Sequence, residues 1–429
     1  MRGVARDTGV RALVLAESIS MAGSQMTYIV LPWFVLTTTG SPAKTSIVVA
    51  AEMAPVALFG LASGAATTRI GARRTMLLCD AARAFLLALI PTLHLLDALS
   101  FAGLVALVFA VGIFMVPHAT AQRVIVPEIV GEDEGRVGET QSLLHGGLAF
   151  AGVLGPALGG VLIGVLGETN VLYVDAASYA IACVLIGLFV LPRYAPHEGA
   201  EGSRGVMDGV RFLLRDRLLR TWMFSLTGIN VVWSALAVTF PVLVLERYGE
   251  RPQILGWIFG AFGVGEVIGA VLSYRVIGRV DRLMLATTAG IGQTAVLWLV
   301  LPDLPWPALA ATAAVAGVFF PFLNAVVITT RTMRSPPELR PTVHTAAVTV
   351  ALILAPVGAL AAGPALSVYG LNAVLAGVLV ANTVFGAAFS WAGLRERRVS
   401  PAEEPGLVVN REDEPARTGV AAGVGRGRN

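Results

Sequence analysis

The stretch FAGVLGPALGGVLIG, residues Phe150–Gly164, contains five glycines and one proline and lies within an uncharged segment from Leu143 to Leu166. In a helix interior, proline costs about 3 kcal/mol and each glycine about 1 kcal/mol relative to alanine. In lipid the segment must nevertheless be helical, because every backbone N–H and C=O has to be satisfied internally. The glycines then indicate close contact between helices, since small residues let two backbones approach each other.

The composition of the whole chain indicates a membrane protein. Its 429 residues are 55% hydrophobic and 14% charged, whereas a soluble protein carries roughly 25% charged residues. Apolar stretches long enough to cross a hydrocarbon core of about 30 Å recur along the chain. We number the twelve stretches as spans: 12–37, 45–67, 74–96, 101–121, 142–166, 171–192, 221–246, 253–275, 283–302, 306–328, 343–367 and 371–393. The predicted fold class is an all-α membrane protein with twelve transmembrane helices in two pseudo-symmetric six-helix bundles.

Basic residues are distributed unequally between alternate loops. Of the 31 Lys and Arg residues, 27 lie in one set of loops and tails, whereas Lys44, Arg247 and Arg251 lie in the other set and Arg83 lies within span 3. The arginine-rich side is predicted to be cytoplasmic, because cytoplasmic loops of membrane proteins carry an excess of basic residues. We therefore expect a multi-pass protein of the cell membrane with both termini in the cytoplasm.

A long polar loop divides the spans into two sets of six. The predicted domains are an N-terminal six-helix bundle at 1–192, a cytoplasmic linker at 193–220, a C-terminal six-helix bundle at 221–394 and a disordered cytoplasmic tail at 395–429. Apolar residues recur in the linker at helical spacing: Val206, Val210, Leu213, Leu214 and Leu218. This spacing predicts an amphipathic helix at the membrane surface.

Two motifs resemble those of the major facilitator superfamily. GPALGG in span 5 resembles motif C of its antiporter branch, through Gly155, Pro156, Gly159 and Gly160. GAATTRIGARR after span 2 resembles motif A, Gly-x-x-x-Asp-Arg-x-Gly-Arg-Arg, through Gly64, Arg69, Gly71, Arg73 and Arg74. Thr68 stands where the motif has aspartate, so the cytoplasmic gate that this carboxylate helps to lock is expected to be weaker or differently latched.

Further segments resemble the macrolide-efflux, enterobactin-exporter and Tap-type subgroup: LPWFVLTTTGSP at 31–42, DAARA at 80–84, VPEIVGEDE at 126–134, DAASYA at 175–180 and GVRFLLRDRLLR at 209–220. The resemblance implies an alternating-access exporter of amphipathic compounds, driven by inward proton flow, with a central cavity lined mainly by spans 1, 4, 7 and 10. Members of the subgroup commonly have Gly-Asp in span 1. This chain has Gly23-Ser24 instead, so a usual proton carrier is absent.

Ionisable residues within spans are the candidate proton carriers, because placing one in the membrane costs roughly 2.5–3.5 kcal/mol. The proton-coupling candidates are Glu266, Glu17, Glu52 and His118. Glu266 is the first choice because it lies near the middle of span 8 with no basic residue within a helical turn. Asp80 and Arg83 are three residues apart and are predicted to form a gating ion pair on one helix face. For each proton candidate, an ordinary structural or interfacial role is the alternative.

Polar and aromatic residues of the spans that line the implied cavity are candidates for contacting the substrate. They are Gln122, Asn230, Trp233, Ser234, Phe320 and Asn324. An apolar, aromatic pocket with few polar anchors suits an amphipathic ligand. Plain contact with lipid or with a neighbouring helix is the alternative.

Other function classes are disfavoured by the sequence. The five histidines are far apart in the chain and both cysteines, Cys79 and Cys183, lie inside spans, so no metal site, cofactor or enzyme active site is predicted. The only lysine is Lys44 and no nucleotide-binding loop occurs, so neither a nucleotide nor a nucleic acid is an expected partner. We expect a monomer that exports multidrug, macrolide or tetracycline-type compounds. The alternative is a dedicated exporter of one endogenous secondary metabolite or siderophore.

Overall fold

The computed structural model describes residues 4–59, 70–194, 206–276 and 279–399. Within these ranges, 12 helices are long and apolar enough to cross a membrane, as many as the sequence predicts. In order, spans 1 to 12 are Thr8–Thr39, Pro42–Phe59, Ala72–Leu95, Phe101–Val130, Glu134–Leu166, Glu168–Phe189, Arg217–Tyr248, Pro252–Val276, Arg282–Val300, Trp306–Arg334, Thr342–Tyr369 and Leu371–Arg398. We call spans 1–6 the N-half and spans 7–12 the C-half.

Short turns connect the spans at one end of the bundle. Gly40, Gly167, Gly249 and Gly370 have φ angles of 61°, 81°, 74° and 76° there, a region that residues with a Cβ rarely adopt. Gly167 alone joins spans 5 and 6, and Gly370 alone joins spans 11 and 12. We call this end the turn end, and the opposite end, which carries the arginine-rich loops, the basic end.

Spans 4 and 11 are each interrupted near the middle. Span 4 consists of helices Phe101–Ile113 and Met115–Val130, and span 11 contains a similar break before helix Ala355–Tyr369. A proline, Pro117 or Pro356, follows each break, and proline lacks the N–H that would bond the carbonyl four residues earlier. Span 4 also continues past its predicted end at 121. Its polar Gln122 does not end the helix, because this side chain donates a hydrogen bond to Glu17 inside the bundle.

The apolar core differs between the two ends of the bundle. One large cluster of buried side chains contains residues of both halves, such as Leu31 of span 1 and Leu243 of span 7, which lie towards the turn end. Towards the basic end, the cluster around Leu13 belongs to the N-half alone, and the clusters around Trp222 and Leu213 belong to the C-half alone. The halves therefore share a core at the turn end and have separate cores at the basic end.

The glycines of span 5 lie on two contact surfaces. A Cβ added at Gly155 would lie 2.6 Å from Cβ of Gln25 on span 1. A Cβ added at Gly160 would overlap Cα of Gly256 on span 8. Gly155 thus faces a neighbour within the N-half and Gly160 faces the C-half, so span 5 packs closely against both.

A short helix, Val206–Arg215, precedes span 7. Its Leu213 is buried and packs in one cluster with Val343 of span 11. Leu214 is exposed, and Leu218 belongs to span 7. The helix therefore rests on the C-half through a narrower apolar face than the five spaced residues predict.

The last spanning helix, Leu371–Val399, continues past the predicted start of the tail at 395. Glu396 in this final turn pairs with Arg334 of span 10, so the turn is packed against the C-half. The rest of the predicted tail, 400–429, and the linker segment 195–205 lie outside the described residues.

Candidate functional site

A cavity of about 310 Å³ with several ionisable side chains in its wall lies within the N-half. Its wall includes the carboxylates of Glu17, Glu52 and Asp175 together with Arg83 and His118. These residues come from spans 1, 2, 6, 3 and 4, so the fold gathers ionisable side chains that are far apart in the chain. We call this space the N-half cavity.

A continuous series of polar contacts runs along one side of the N-half cavity. Gln122 Nε2 donates to Glu17 Oε2 at 2.6 Å. His118 Nε2 lies 3.5 Å from Glu17 Oε1 and 3.1 Å from Asp80 Oδ1. Arg83 Nη2 donates to the same oxygen of Asp80 at 2.6 Å. The exposed fractions of Glu17, His118 and Asp80 are 5%, 6% and 0%. The imidazole therefore lies within ion-pair distance of two carboxylates that water scarcely touches, and its Nε2 forms no hydrogen bond with a described residue.

A second polar group joins spans 1 and 6. Thr27 Oγ1 donates to Asp175 Oδ2 at 2.5 Å, and the Ser24 and Tyr179 hydroxyl oxygens lie 2.7 Å apart. The guanidinium carbon of Arg83 lies 4.3 Å from the centre of the Tyr179 ring. Arg83 therefore contacts both polar groups, through Asp80 on one side and the aromatic face on the other.

A second cavity, of about 560 Å³, lies within the C-half. Trp233, Phe262 and Phe320 form its aromatic wall, with ring centres 5.2 to 6.5 Å apart in tilted or edge-to-face pairs. Such pairs are favourable beyond the burial of their area. We call this space the C-half cavity, and its largely apolar wall suits the body of an amphipathic ligand.

Most of the predicted substrate residues line one of the two cavities. Gln122 lines the N-half cavity, and the C-half cavity is lined by Asn230, Trp233, Phe320 and Asn324. Ser234 lies elsewhere, because its face of span 7 packs against span 11. Its Oγ donates towards the carbonyl of Ala355 at 2.5 Å, and the side chain is buried.

The four predicted proton carriers occupy different surroundings. Glu17, Glu52 and His118 line the N-half cavity. Glu266 lies on span 8, lines neither cavity and forms no hydrogen bond or ion pair with another described residue. Its backbone N faces Gly317 of span 10, so the close packing of spans 8 and 10 positions it apart from the other three.

Part of motif A lies where span 3 begins. Gly71 has a φ angle of 86° immediately before the helix. Arg73 Nη2 donates to the carbonyl of Gly187 on span 6 at 2.5 Å, whereas Arg74 is exposed. Arg73 therefore ties the start of span 3 to the end of span 6. The other motif positions lie outside the described residues: Gly64, Thr68 and Arg69.

Sequence reasoning missed a basic pair in the C-half cavity. The predicted span 10 ends at 328, but Arg331 lies within the helix of span 10 and its exposed fraction is only 8%. Its Nη2 lies 2.6 Å from Nδ1 of His344 on span 11, and both residues line the cavity. The absence of glycine and proline between Leu323 and Ser335 is the signal that could have extended span 10.

Comparison with known proteins identifies the family. Residues 13–251 match the family model described as Major Facilitator Superfamily. The chain belongs to the Major Facilitator Superfamily. It is therefore a multi-pass membrane transporter and not an enzyme, and the resemblance that the sequence motifs indicate is confirmed.

Relatives of this superfamily member cover most of its length. The multidrug efflux pump Tap of Mycolicibacterium fortuitum is 28% identical over 378 residues, which are 84% of this chain and 90% of the relative. The multidrug efflux pump Tap of Mycobacterium bovis (strain BCG / Pasteur 1173P2) is 27% identical over 406 residues, which are 91% and 94% of the two chains.

Solved structures resemble the fold. The crystal structure of the nucleoside transporter NupG has a TM-score of 0.71 at 13% identity and covers 89% of this chain and 98% of that one. A bacterial homologue of the human lysosomal transporter Spinster, in an inward-facing and unoccupied conformation, has a TM-score of 0.67 at 15% identity and covers 92% and 98%. At these identities the likeness shows the shared fold, which confirms the predicted fold class.

Proposed function

We propose that this transporter exports amphipathic drug-like compounds, of the multidrug, macrolide or tetracycline type, in exchange for protons. Two relatives that align over most of both chains are multidrug efflux pumps by name, which supports drug export. The GPALGG motif resembles motif C of the antiporter branch, and its glycines pack span 5 against spans 1 and 8. This motif supports outward transport of the substrate in exchange for inward movement of protons.

The observation that carries proton coupling is the position of His118 between Glu17 and Asp80 in the N-half cavity. Ionisable groups are costly within a membrane and mark proton relays in transporters. Protonation of Glu17 removes its attraction for the imidazole and converts an acceptor of the Gln122 hydrogen bond into a donor. We infer that this change loosens the contact of span 1 with span 4, and that span 1, which also packs on span 7 of the C-half, transmits it to the contact between the halves.

We further propose that the basic end faces the cytoplasm of a plasma-membrane protein and that the structure represents the state open to that side. The distribution of arginine supports the orientation. The shared core at the turn end and the separate cores at the basic end support alternating access, in which two bundles rock about a central site. The bundles at 1–192 and 221–394 are then the moving units, with 193–220 as the linker and 395–429 as the cytoplasmic tail.

The test uses everted membrane vesicles with an acidified interior. Uptake of a fluorescent lipophilic cation, a macrolide and a tetracycline is measured with and without a protonophore, for the wild type, Glu17→Gln and Glu266→Gln. We expect uptake that the protonophore abolishes, that Glu17→Gln largely abolishes, and that Glu266→Gln retains. Both variants remove one carboxylate from a span, but only the first removes it from the N-half cavity.

The other outcomes each change the conclusion. Uptake that survives Glu17→Gln but not Glu266→Gln would move proton coupling to span 8. Uptake that is insensitive to the protonophore would contradict proton exchange. Transport of none of the drugs would favour the dedicated exporter of one endogenous compound.

A further inference from the structure

Two arginines one turn apart at the end of span 10 have opposite surroundings. Arg334 Nη1 donates to Asp216 Oδ2 at 2.9 Å, and its other terminal nitrogen pairs with Glu396. Arg331 is buried and has no carboxylate of the described chain within ion-pair distance. Its side-chain partner is the ring of His344. A buried charge is costly unless it is paired, so the surroundings of Arg331 favour an anion that the described residues do not supply.

Other groups near Arg331 strengthen this preference. Arg123 of span 4 adds positive charge within electrostatic range of His344, from the other half of the protein. Deeper in the C-half cavity, Gln293 Nε2 and Trp233 Nε1 are buried donors that find no acceptor in the described part of the chain. A buried donor without a partner is unfavourable, so the cavity presents hydrogen-bond donors that a ligand rich in acceptors would satisfy.

The dimensions of the C-half cavity fit a ligand with two distinct ends. Phe320 and Arg331 are eleven residues apart on span 10, a separation of about 16 Å along a helix. The aromatic wall at Trp233, Phe262 and Phe320 lies at one end of this distance and the guanidinium lies towards the other. A flat apolar body with an acidic group on a short arm would reach both.

We propose that the C-half cavity binds an amphipathic anion, with its carboxylate, sulfonate or phosphate group on Arg331 and its apolar body against the aromatic wall. Guanidinium suits this role because it can bind a planar anion through two parallel hydrogen bonds. The wall of the N-half cavity carries three carboxylates and only one arginine, Arg83, so it is less favourable for such a group than the C-half cavity. This inference rests on the proposed export of amphipathic compounds and adds amphipathic anions to the compound types proposed above.

The test compares two probes that differ only in charge. Binding of 1-pyrenebutyrate and of its uncharged counterpart 1-pyrenebutanol to the full-length protein in phosphatidylcholine nanodiscs is measured by titration calorimetry, with protein-free nanodiscs subtracted. We expect the wild type to bind the carboxylate about tenfold or more tightly than the alcohol. Arg331→Gln should abolish this preference without changing the affinity for the alcohol, which shows that the cavity is intact.

Two further variants separate the site from general charge effects. Arg331→Lys should retain part of the preference, because it keeps the charge and loses the paired hydrogen bonds. Arg211→Gln, which removes an exposed arginine from the helix before span 7, should retain all of it. Equal affinity of the wild type for both probes, or a preference that survives Arg331→Gln, would overturn the proposal.

A change of lipid distinguishes the two sources of such an anion. If part of the phosphatidylcholine is replaced by phosphatidylglycerol, competition that depends on Arg331 identifies a lipid headgroup as an occupant, and unchanged binding identifies a soluble substrate. Because the binding assay needs no proton gradient, it is independent of transport. Loss of drug export with an intact carboxylate preference would contradict the proposed function alone. Intact drug export without a carboxylate preference would contradict the anion site alone.

Discussion

At Gly160 the two halves approach so closely that no side chain fits. A Cβ added at Gly256, on the facing span, would lie 2.5 Å from Cα of Gly160 and 3.0 Å from the carbonyl oxygen of Pro156. Lipid provides no hydrophobic force that would press two helices together, so their association depends on close van der Waals contact. The glycines therefore allow a contact whose benefit exceeds their cost of about 1 kcal/mol each in helix propensity.

Gly160→Ala should weaken the contact between spans 5 and 8. The new methyl group overlaps backbone atoms that cannot rotate away, and forced overpacking costs about 1–3 kcal/mol. We expect a lower thermal unfolding temperature of the purified protein in detergent and reduced drug uptake in everted vesicles. Gly152→Ala is the matched control on the same helix, because its nearest neighbour would be Gln25 Nε2 at 3.9 Å. The same unfolding temperature for both variants would show that the close contact is not required.

At the scale of the helix, Asp216 positions the start of span 7. Its Oδ1 accepts a hydrogen bond from the backbone N–H of Leu219 at 2.9 Å, as the N-cap of the helix. Its Oδ2 accepts from Arg334 of span 10 at 2.9 Å. The Asp216 carboxylate therefore caps the start of span 7 after the short helix, and it links span 7 to span 10 through the ion pair with Arg334.

Asp216→Ala should destabilise the C-half more than Asp216→Asn does. Alanine removes the N-cap, which contributes about 1 kcal/mol, whereas asparagine keeps an acceptor and removes the charge. The ion pair adds less, because partly exposed pairs contribute about 0–1 kcal/mol and Arg334 keeps Glu396. The measurement is the thermal unfolding temperature of the two variants in detergent. Equal losses would indicate that the ion pair, and not the cap, carries the stabilisation.

The local sequence predicts these elements well. The twelve spans, the close-contact glycines of span 5 and the short helix before span 7 all follow from apolar length, small-residue spacing and periodicity. The end of span 10 does not, because Arg331 near the limit of an apolar stretch resembles a loop residue. Its burial depends on the cavity that spans 7 to 11 form together, and the hydropathy of one segment does not reveal a cavity formed by several.

At the scale of the whole molecule, contacts between the halves are concentrated at the turn end. Span 2 packs on span 11 there, where a Cβ added at Gly363 would lie 2.6 Å from Cβ of Ser46. Span 7 contributes Leu243 to the core that also contains Leu31 of span 1. For the N-half and C-half cavities to open on that side, these surfaces would have to separate.

A disulfide between spans 2 and 11 should therefore stop transport. In a variant with Cys79 and Cys183 replaced by serine, Ser46→Cys and Gly363→Cys place two thiols opposite each other. A disulfide needs its Cβ atoms about 3.5–4.5 Å apart, which a helix shift of about 1 Å provides. We expect oxidation to form the cross-link and block uptake in everted vesicles, and reduction to restore it.

The control pair is Ser46→Cys with Gly377→Cys, because a Cβ added at Gly377 would have no atom of the described residues within 4 Å. This pair should neither cross-link nor respond to oxidation. Full uptake by the protein with a complete cross-link between positions 46 and 363 would show that the turn end does not open during transport, which contradicts alternating access.

The sequence by itself determined that the chain is helical, how many times it crosses the membrane and which helix surfaces are small enough for close contact. These features are local, because the bilayer selects segments by their apolar length and by satisfied backbone hydrogen bonds. Only the tertiary structure decided that Glu17, Asp80 and His118 meet, that Glu266 stands apart, and that Arg331 has no carboxylate partner among the residues that the structure describes. A helix that is apolar around its whole circumference carries no periodic signal of which face points inwards, so packing alone sets these neighbours.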